Sequence, residues 1–255
     1  MRARKRFGQH FLTDHGVLDR LAKAIRPRPD DRMLEIGPGH GALTERLFGA
    51  TQRYLAVEID RDLVPMLKAR FPGIELVNDD ILRVDLDAML DGGRWRLVGN
   101  LPYNISTPLL VTLLGRLEHI ADMHFMLQRE VAARLAGRPG TKAWGRIAVL
   151  TQYHCEVEPL FDVAPESFEP PPQVWSSVVR LTPRRDTLGL ERPTAFDAVL
   201  RHAFGQRRKR LGNALQSLPV DWDRAGVDRG RRADELSVAE FVALANALAR
   251  EEPRD

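Results

Sequence analysis

The stretch "MLEIGPGHGALTERL", residues 33–47, decides the fold of this chain. Its opening residues predict a short buried strand, and its closing residues predict the start of a helix. Between them Gly37, Gly39 and Gly41 predict a tight turn, where glycine lets backbone N–H groups approach a ligand at a helix N-terminus. Such a turn suits a carboxylate or a phosphate, but its G-x-G-x-G spacing differs from the G-x-G-x-x-G of dinucleotide-binding proteins. The turn alone therefore does not identify the ligand.

Outward from this stretch, strand-like and helix-like segments alternate. Further strands are predicted at "YLAVEID", "IELVNDD", "WRLVGN" and "ADMHFMLQ". Helices are predicted from Asp14 to Ile25, from Asp62 to Arg70, from near Thr107, over "REVAARLAG" and from Trp144 to Cys155. This alternation predicts βαβ units, and hence an α/β fold with a parallel sheet covered on both faces.

The chain changes character towards its C-terminus. "VEPLFDV" and "SSVVRL" predict two late strands, and the proline-rich "FEPPPQV" between them predicts an antiparallel end to the sheet. Beyond Thr182 to Arg185 the segments are helical without intervening strands. We therefore predict a larger domain over residues 1–183 and a small helical domain over residues 184–255.

The composition is that of a soluble globular protein, with 44% hydrophobic and 29% charged residues in a chain of 255. No apolar run approaches the roughly 20 residues that a membrane helix needs. The single cysteine, Cys155, excludes an intrachain disulfide and agrees with a reducing compartment. The basic start "MRARKRFGQHFL" is not followed by an apolar stretch of signal-peptide length, so a cytoplasmic location is predicted.

The positive charge is concentrated in two clusters, although the formal net charge is only +3. One lies at the N-terminus and includes Arg4, Lys5 and Arg6; the other is "RHAFGQRRKR", residues 201–210, and neither contains an acid. Clusters of this kind indicate a polyanionic partner such as RNA. Solvated faces of an arginine-rich protein are the alternative interpretation.

Polar side chains follow successive predicted strands. Glu58 ends the second strand and is placed to accept hydrogen bonds from ribose hydroxyls, Asp80 ends the third and is placed to accept from an adenine amino group, and Asn100 ends the fourth. An Asx turn is the structural alternative for Asp80. Ligands of open α/β sheets bind beyond the carboxyl ends of the strands, so these residues and Gly37 together predict a nucleoside cofactor site. S-adenosylmethionine and a nicotinamide dinucleotide both carry the ribose.

The fourth strand runs into Asn100-Leu101-Pro102-Tyr103, a sequence suited to presenting an aromatic amine. The Asn100 side-chain oxygen and the Leu101 carbonyl would accept both N–H protons of an adenine amino group and favour the positive charge that develops during methyl transfer. Pro102 would stiffen the loop, and Tyr103 would stack on the extruded base. A plain strand-to-helix turn is the alternative.

Several motifs in order give the chain a resemblance to a known family. They are "FGQHFL", "EIGPGHGALT", "VEID", "GNLPYNISTPLL", "DMHFMLQREVAARL", Trp144-Gly145-Arg146, "FEPPPQVWSSVVRL" and "AFGQRRKRLGNAL". From about Arg4 to Leu215 the chain resembles the KsgA (RsmA) family of ribosomal RNA adenine dimethyltransferases.

The resemblance implies a Rossmann-like class I methyltransferase with a central, mostly parallel sheet, followed by a small C-terminal all-α domain. It implies a metal-free enzyme that acts as a monomer and not on a membrane. Its cofactor would be S-adenosylmethionine, and its substrate two adjacent adenosines in a hairpin near the 3′ end of 16S rRNA. The reaction would take place during biogenesis of the small ribosomal subunit.

The resemblance also assigns residues by position. His10, Leu12, Gly37, Gly39, Glu58, Asp80 and Asn100 would contact the cofactor. Asn100, Leu101, Pro102 and Tyr103 would present the target amine, and Phe168 would be the second aromatic face on the base. The two basic clusters, with Arg4, Lys5, Arg6, Arg207, Arg208, Lys209 and Arg210, would hold RNA phosphates. The chain departs from the family pattern in two places: many relatives have Asn where His10 stands, and Trp175 replaces a common Asp.

Three other functions fit part of the pattern. A nicotinamide oxidoreductase shares the glycine turn and Glu58 but leaves Asn100 to Tyr103 and the basic clusters unexplained. A non-catalytic RNA-binding assembly factor would need the basic clusters alone. A DNA adenine methyltransferase shares the amine chemistry, but Leu101 and the small size of the chain disfavour it.

Overall fold

The structure of the chain is a computed structural model that describes residues 9–186 and 188–249. These residues form two compact units. The first unit consists of described residues 9–132 and 156–183, and the second of 133–155, 184–186 and 188–249.

The strands of the described chain form a seven-stranded sheet and a two-stranded sheet. In chain order they are β1 (Phe11–Leu12), β2 (Arg32–Ile36), β3 (Arg53–Val57), β4 (Glu75–Val77), β5 (Trp95–Asn100), β6 (Ile120–Gln128), β7 (Cys155–Val163), β8 (Phe168–Glu169) and β9 (Ser176–Pro183). The large sheet has the order β4-β3-β2-β5-β6-β9-β7, and β1 pairs with β8 in the small one.

The strands from β2 to β6 pair in parallel, and β9 lies antiparallel to β6. Parallel pairing requires crossover connections, which the helices between these strands supply. The register places Glu35 opposite both Ala56 and Val98, and Asn100 opposite Met126. The carboxyl ends of β2, β3, β5 and β6 therefore lie on one edge of the sheet. The prediction of a mostly parallel sheet with an antiparallel end is confirmed.

The helices of the described chain are mostly short. They are α1 (His15–Ile25), α2 (Thr44–Leu47), α3 (Val64–Arg70), α4 (Leu86–Met89), α5 (Ser106–Leu114), α6 (Arg129–Leu135), α7 (Arg146–His154), α8 (Pro193–Gly205), α9 (Leu211–Ala214), α10 (Trp222–Ala225) and α11 (Val238–Asn246). Short 3-10 helices occur at Phe48–Ala50, Leu117–His119, Pro165–Ser167 and Ala233–Glu235. None of the helices among residues 9–186 and 188–249 is long and apolar enough to span a bilayer.

Helix α1 shows how the sequence produces the local structure. The Asp14 carboxylate caps the helix by accepting the backbone N–H of Val17 at 3.1 Å. Its buried residues, Leu18, Leu21 and Ile25, recur at helical spacing and enter the core of the first unit.

The second unit contains a segment that the domain boundary predicted from the sequence placed in the first domain. Residues 133–155 belong with the C-terminal helices rather than with the sheet. The apolar face of α7 explains this: the rings of Tyr153 and Phe196 are 4.8 Å apart, and the buried Trp144 donates its indole N–H to the Leu236 carbonyl at 2.9 Å. The observed division therefore differs from 1–183 and 184–255, although Pro183 and Arg184 still fall on opposite sides of it.

Candidate active site

A cavity opens at the carboxyl edge of the large sheet, where β2, β3 and β5 end. All of its lining residues lie in the first unit. Its walls are Gln9 to Leu12, the helix α1 residues Leu18 and Leu21, Glu35, the turn Gly37 to His40, Ala42, Leu43, Glu58, Ile59 and the run Asn100 to Tyr103. The cavity thus gathers most of the residues predicted to bind a nucleoside cofactor and its acceptor.

The glycine turn is held against the acid that ends β3. Gly39 has φ +59°, and a Cβ there would lie 2.9 Å from a ring carbon of Phe11, so glycine is required. The Glu58 carboxylate accepts the backbone N–H of Gly39 at 3.0 Å and that of Asp60 at 2.8 Å. Burial raises the pKa of Glu58, and these two backbone hydrogen bonds oppose the rise. The acid and the turn consequently form one rigid wall.

A second buried acid, Glu35, also reaches the cavity, and the sequence analysis did not single it out. It accepts hydrogen bonds from the Thr44 hydroxyl at 2.6 Å and the Tyr54 hydroxyl at 2.7 Å. Burial raises the pKa of Glu35 to about 7. An acid between the apolar residues Leu34 and Ile36 of the strand "RMLEI" is the signal that would have revealed it.

The Asn100 side chain is oriented by the N-terminal segment. Its Nδ2 donates to the His10 backbone carbonyl at 2.8 Å. A carbonyl only accepts, so this contact fixes which end of the amide faces His10 and leaves Oδ1 as the acceptor. Asn100 lines the cavity rather than capping its own loop.

The loop that follows Asn100 is stiffened by backbone contacts. The Leu101 N–H donates to the Met126 carbonyl at 3.1 Å. The Pro102 carbonyl accepts from the Ser106 hydroxyl at 3.0 Å and the Ile105 N–H at 3.1 Å. Helix α5 begins at Ser106 without a side-chain cap, one residue before Thr107, near which the sequence predicts its start.

Tyr103 is anchored at its hydroxyl and through its ring. Its hydroxyl is 3.0 Å from the Ser176 hydroxyl, and its ring stacks at 5.9 Å on the imidazole of His10. The His10 Nδ1 lies 2.7 Å from the Pro170 carbonyl, so that nitrogen carries the proton. Burial raises the pKa of the Tyr103 phenol, which stays protonated. The ring is thereby held at the cavity wall.

Comparison with known proteins identifies the family of this chain. The sequence matches the family described as "Ribosomal RNA adenine dimethylase" over residues 1–250. The chain belongs to this family. It is 50% identical to the ribosomal RNA small subunit methyltransferase A of Pseudomonas aeruginosa, with 97% of this chain and 95% of that protein aligned. It is 49% identical to the protein of the same name from Chromohalobacter salexigens, over 98% of this chain and 93% of that protein.

Solved structures support the dimethylase fold. A dimethyladenosine transferase from Plasmodium falciparum superposes with a TM-score of 0.82 at 23% identity, covering 94% of this chain and 99% of that chain. The 23S rRNA methyltransferase ErmE superposes with a TM-score of 0.72 at 27% identity, covering 93% and 99%. The predicted Rossmann-like methyltransferase fold and the predicted family are both confirmed.

Two residues that the dimethylase resemblance assigned to the site are outside the cavity lining. Asp80 is outside the cavity lining, and its Oδ1 accepts the Leu82 N–H at 3.0 Å, which is the Asx turn considered above. Phe168 is buried because β8 pairs with β1, which places Phe168 opposite Leu12 in the apolar core. The ligand contacts of Asp80 and Phe168 stay predictions.

The predicted basic residues are placed only in part. Arg4, Lys5 and Arg6 lie outside the described residues. The segment from Arg207 to Arg210 lies between two helices, because α8 ends at Gly205 and α9 begins at Leu211. The Leu211 N–H donates to the Arg231 carbonyl at 2.8 Å, and this pairing turns the chain out of the helix.

The side chains of this basic turn have different surroundings. The Arg207 guanidinium donates to the Lys142 and Trp144 carbonyls at 3.0 and 2.7 Å, so it braces the second unit. Arg208, Lys209 and Arg210 are exposed. These three are the better candidates for phosphate contacts.

Several cavity residues were missed by sequence reasoning. They are Gln9, Phe11, Pro38, His40 and Ile59. The rings of Phe11 and His40 are 4.1 Å apart and close one side of the cavity. The motifs "FGQHFL" and "VEID" and the glycine turn were all recognised in the sequence. The other residues of these motifs could therefore have been predicted to line the cavity.

Proposed function

We propose that this protein transfers methyl groups from S-adenosylmethionine to the N6 amino groups of two adjacent adenosines in a hairpin near the 3′ end of small-subunit ribosomal RNA. Membership of the dimethylase family supports the reaction, and the printed names of the relatives support the subunit. One observation carries the proposal: the Asn100 amide is held by the His10 carbonyl, which frees its oxygen to accept from an amine at the cavity wall.

The cavity residues fit the proposed cofactor. Glu58 offers carboxylate oxygens of the kind that bind ribose hydroxyls, and the turn from Gly37 to His40 offers backbone N–H groups close to the surface. Phe11 and Ile59 supply apolar walls of the kind that cover a purine. When bound, S-adenosylmethionine supplies a methyl group on a positively charged sulfur.

The chain's own residues then act on the acceptor. In the first transfer Asn100 Oδ1 and the Leu101 carbonyl accept the two N6–H groups, and in the second transfer one of these oxygens accepts the single N–H that remains. These contacts favour a pyramidal nitrogen with its lone pair directed at the methyl carbon. Tyr103 and the stiff Pro102 turn hold the base in line with the donor. S-adenosylmethionine bound in the cavity would supply the methyl group, with a nitrogen–carbon bond replacing the carbon–sulfur bond and the displaced proton passing to water. Positive charge on the nitrogen is stabilised by the same two oxygens.

RNA is proposed to be held by basic side chains of both clusters. Arg208, Lys209 and Arg210 on the second unit, and Arg4, Lys5 and Arg6 near the N-terminus, would contact phosphates without reading sequence. Base extraction needs this backbone grip, because a base inside a helix is out of reach of the cavity.

The test compares three substrates with labelled S-adenosylmethionine: immature small ribosomal subunits, naked ribosomal RNA and duplex DNA. We expect dimethyladenosine, identified by mass spectrometry of digested nucleosides, in at least one of the RNA substrates. Binding to the subunit without methyl transfer would leave only the assembly-factor role. Methylation of duplex DNA and not RNA would overturn the proposed substrate.

A further inference from the structure

The strongest unassigned feature of the first unit is an exposed tryptophan next to the candidate active site. Trp175 is 45% exposed, and its neighbour Val174 is 44% exposed. Among the described residues it is the large aromatic side chain left open to water, whereas Trp95 and Trp144 are buried. Single exposed hydrophobic residues are common, so exposure alone would mean nothing.

The backbone at Trp175 is fixed. Its carbonyl accepts the N–H of Arg129 at 2.9 Å, and the next residue, Ser176, pairs with Gln128 at the carboxyl end of β6. A fixed backbone lowers the conformational entropy lost when the side chain binds a partner. Trp175 is therefore presented as a rigid platform and not as part of a loose loop.

Trp175 also lies next in the chain to a residue that holds the wall of the candidate active site. Ser176 is buried, and its hydroxyl holds the hydroxyl of Tyr103, which lines the cavity. Consecutive Cα atoms lie about 3.8 Å apart, so the indole starts one residue away from the group that anchors Tyr103. The Ser176 side chain is buried and the Trp175 side chain is 45% exposed, so these two neighbouring side chains lie in different environments.

A positive charge accompanies the ring. The Arg129 guanidinium carbon lies 5.8 Å from the centroid of the Trp175 ring. The Arg129 side chain is 59% exposed, and its contact with Asp162 is 3.9 Å long. An indole beside an accessible guanidinium matches a nucleotide, because the ring binds the base and the cation binds its phosphate.

We propose that Trp175 and Arg129 form a stacking site for an unpaired RNA base that flanks the methylated adenosine. Extraction of the target base leaves its neighbour without a stacking partner, and the indole restores that contact. This inference rests on the proposed function, since the flanking base belongs to the same RNA. The site makes Trp175 a substrate-positioning residue for this chain.

The test measures methyl transfer with Trp175→Ala and Trp175→Phe. We expect Trp175→Ala to raise the KM for RNA about 5- to 150-fold, the range equivalent to about 1–3 kcal/mol of base stacking. Its kcat at saturating RNA and its Kd for S-adenosylmethionine are expected to stay within about twofold. Trp175→Phe, which keeps an aromatic face, is expected to retain the wild-type KM within about threefold.

A second readout does not depend on catalysis. A single-stranded oligoribonucleotide is expected to quench the intrinsic fluorescence of the wild-type protein, and this quench should vanish in Trp175→Phe but persist in Trp222→Phe. A wild-type KM in Trp175→Ala, or a quench that survives Trp175→Phe, would overturn the stacking site. If the wild-type protein methylates no RNA, the proposed function fails, and the quench alone decides whether Trp175 binds RNA.

Discussion

Replacing Asn100 by alanine is expected to slow methyl transfer far more than it weakens binding of either substrate. The side chain serves two partners: Nδ2 donates to the His10 carbonyl at 2.8 Å, and Oδ1 is left for the adenine amine. Removing one group that stabilises developing charge costs about 10²–10³ in kcat, or about 2.7–4 kcal/mol. Losing the hydrogen bond to His10 adds about 1 kcal/mol, which would appear as a weaker Kd for S-adenosylmethionine.

Single-turnover rates with labelled S-adenosylmethionine and excess protein measure the chemical step, and calorimetry measures cofactor binding separately. Asn104→Ala is the matched control, because Asn104 is exposed and lies outside the cavity lining. We expect this control to stay within about twofold of wild type. Asn100→Asp keeps an acceptor oxygen but cannot donate to His10, and its rate should fall between those of wild type and Asn100→Ala.

The reasoning fails if Asn100→Ala retains methyl transfer within about threefold of the wild-type rate. It also fails if Asn104→Ala loses as much as Asn100→Ala, because the effect would then belong to the loop as a whole. A loss confined to the Kd for S-adenosylmethionine would assign Asn100 to cofactor binding and remove it from the chemical step.

Three further outcomes are expected. Gly39→Ala should weaken S-adenosylmethionine binding about tenfold in calorimetry, since the new Cβ would meet Phe11 at 2.9 Å with φ at +59°; Gly49→Ala, which has open space, should not. Burial raises the pKa of Glu35 from 4.5 to about 7. The unfolding free energy of the wild type should therefore fall by about 3 kcal/mol as the pH rises from 4.5 to about 7, because the folded state then has to deprotonate a buried acid. Urea unfolding at pH 5 and pH 8 should show a smaller loss in Glu35→Gln. In RNA-binding titrations, Arg208→Gln and Lys209→Gln should each lower the log–log salt slope by about 0.7, and unchanged slopes would remove these side chains from the RNA surface.

Local pattern was sufficient to predict the sheet and its functional edge. Short apolar runs predict β2, β3 and β5. Each run is followed by a polar residue or a glycine that the structure places at the cavity. Strand period and turn chemistry are properties of neighbouring residues, so they can be predicted without knowledge of distant contacts.

The sequence is less informative for segments whose structure depends on contacts with residues far away in the chain. The sequence of α7 shows an apolar face but cannot show that this face meets Phe196 rather than the sheet. The basic stretch before Leu211 looks helical, yet pairing with Arg231 turns the chain. The burial of Phe168, in a two-residue strand that pairs with Phe11–Leu12 across more than half of the chain, could likewise not be predicted from the local sequence, although its contact with the base stays a prediction. Helix propensity and motif position contain none of these long-range pairings.

The segment from Gln9 to Leu12 explains why a departure from the family pattern at position 10 is compatible with an intact site. The group that holds Asn100 is the backbone carbonyl of His10, which any residue would provide. The imidazole makes different contacts, through Nδ1 to the Pro170 carbonyl and through its ring to Tyr103. An asparagine amide also donates to a carbonyl, so the Pro170 contact is chemically available to either residue. What must be preserved is the path of the backbone, and the pairing of β1 with β8 fixes that path one residue further on.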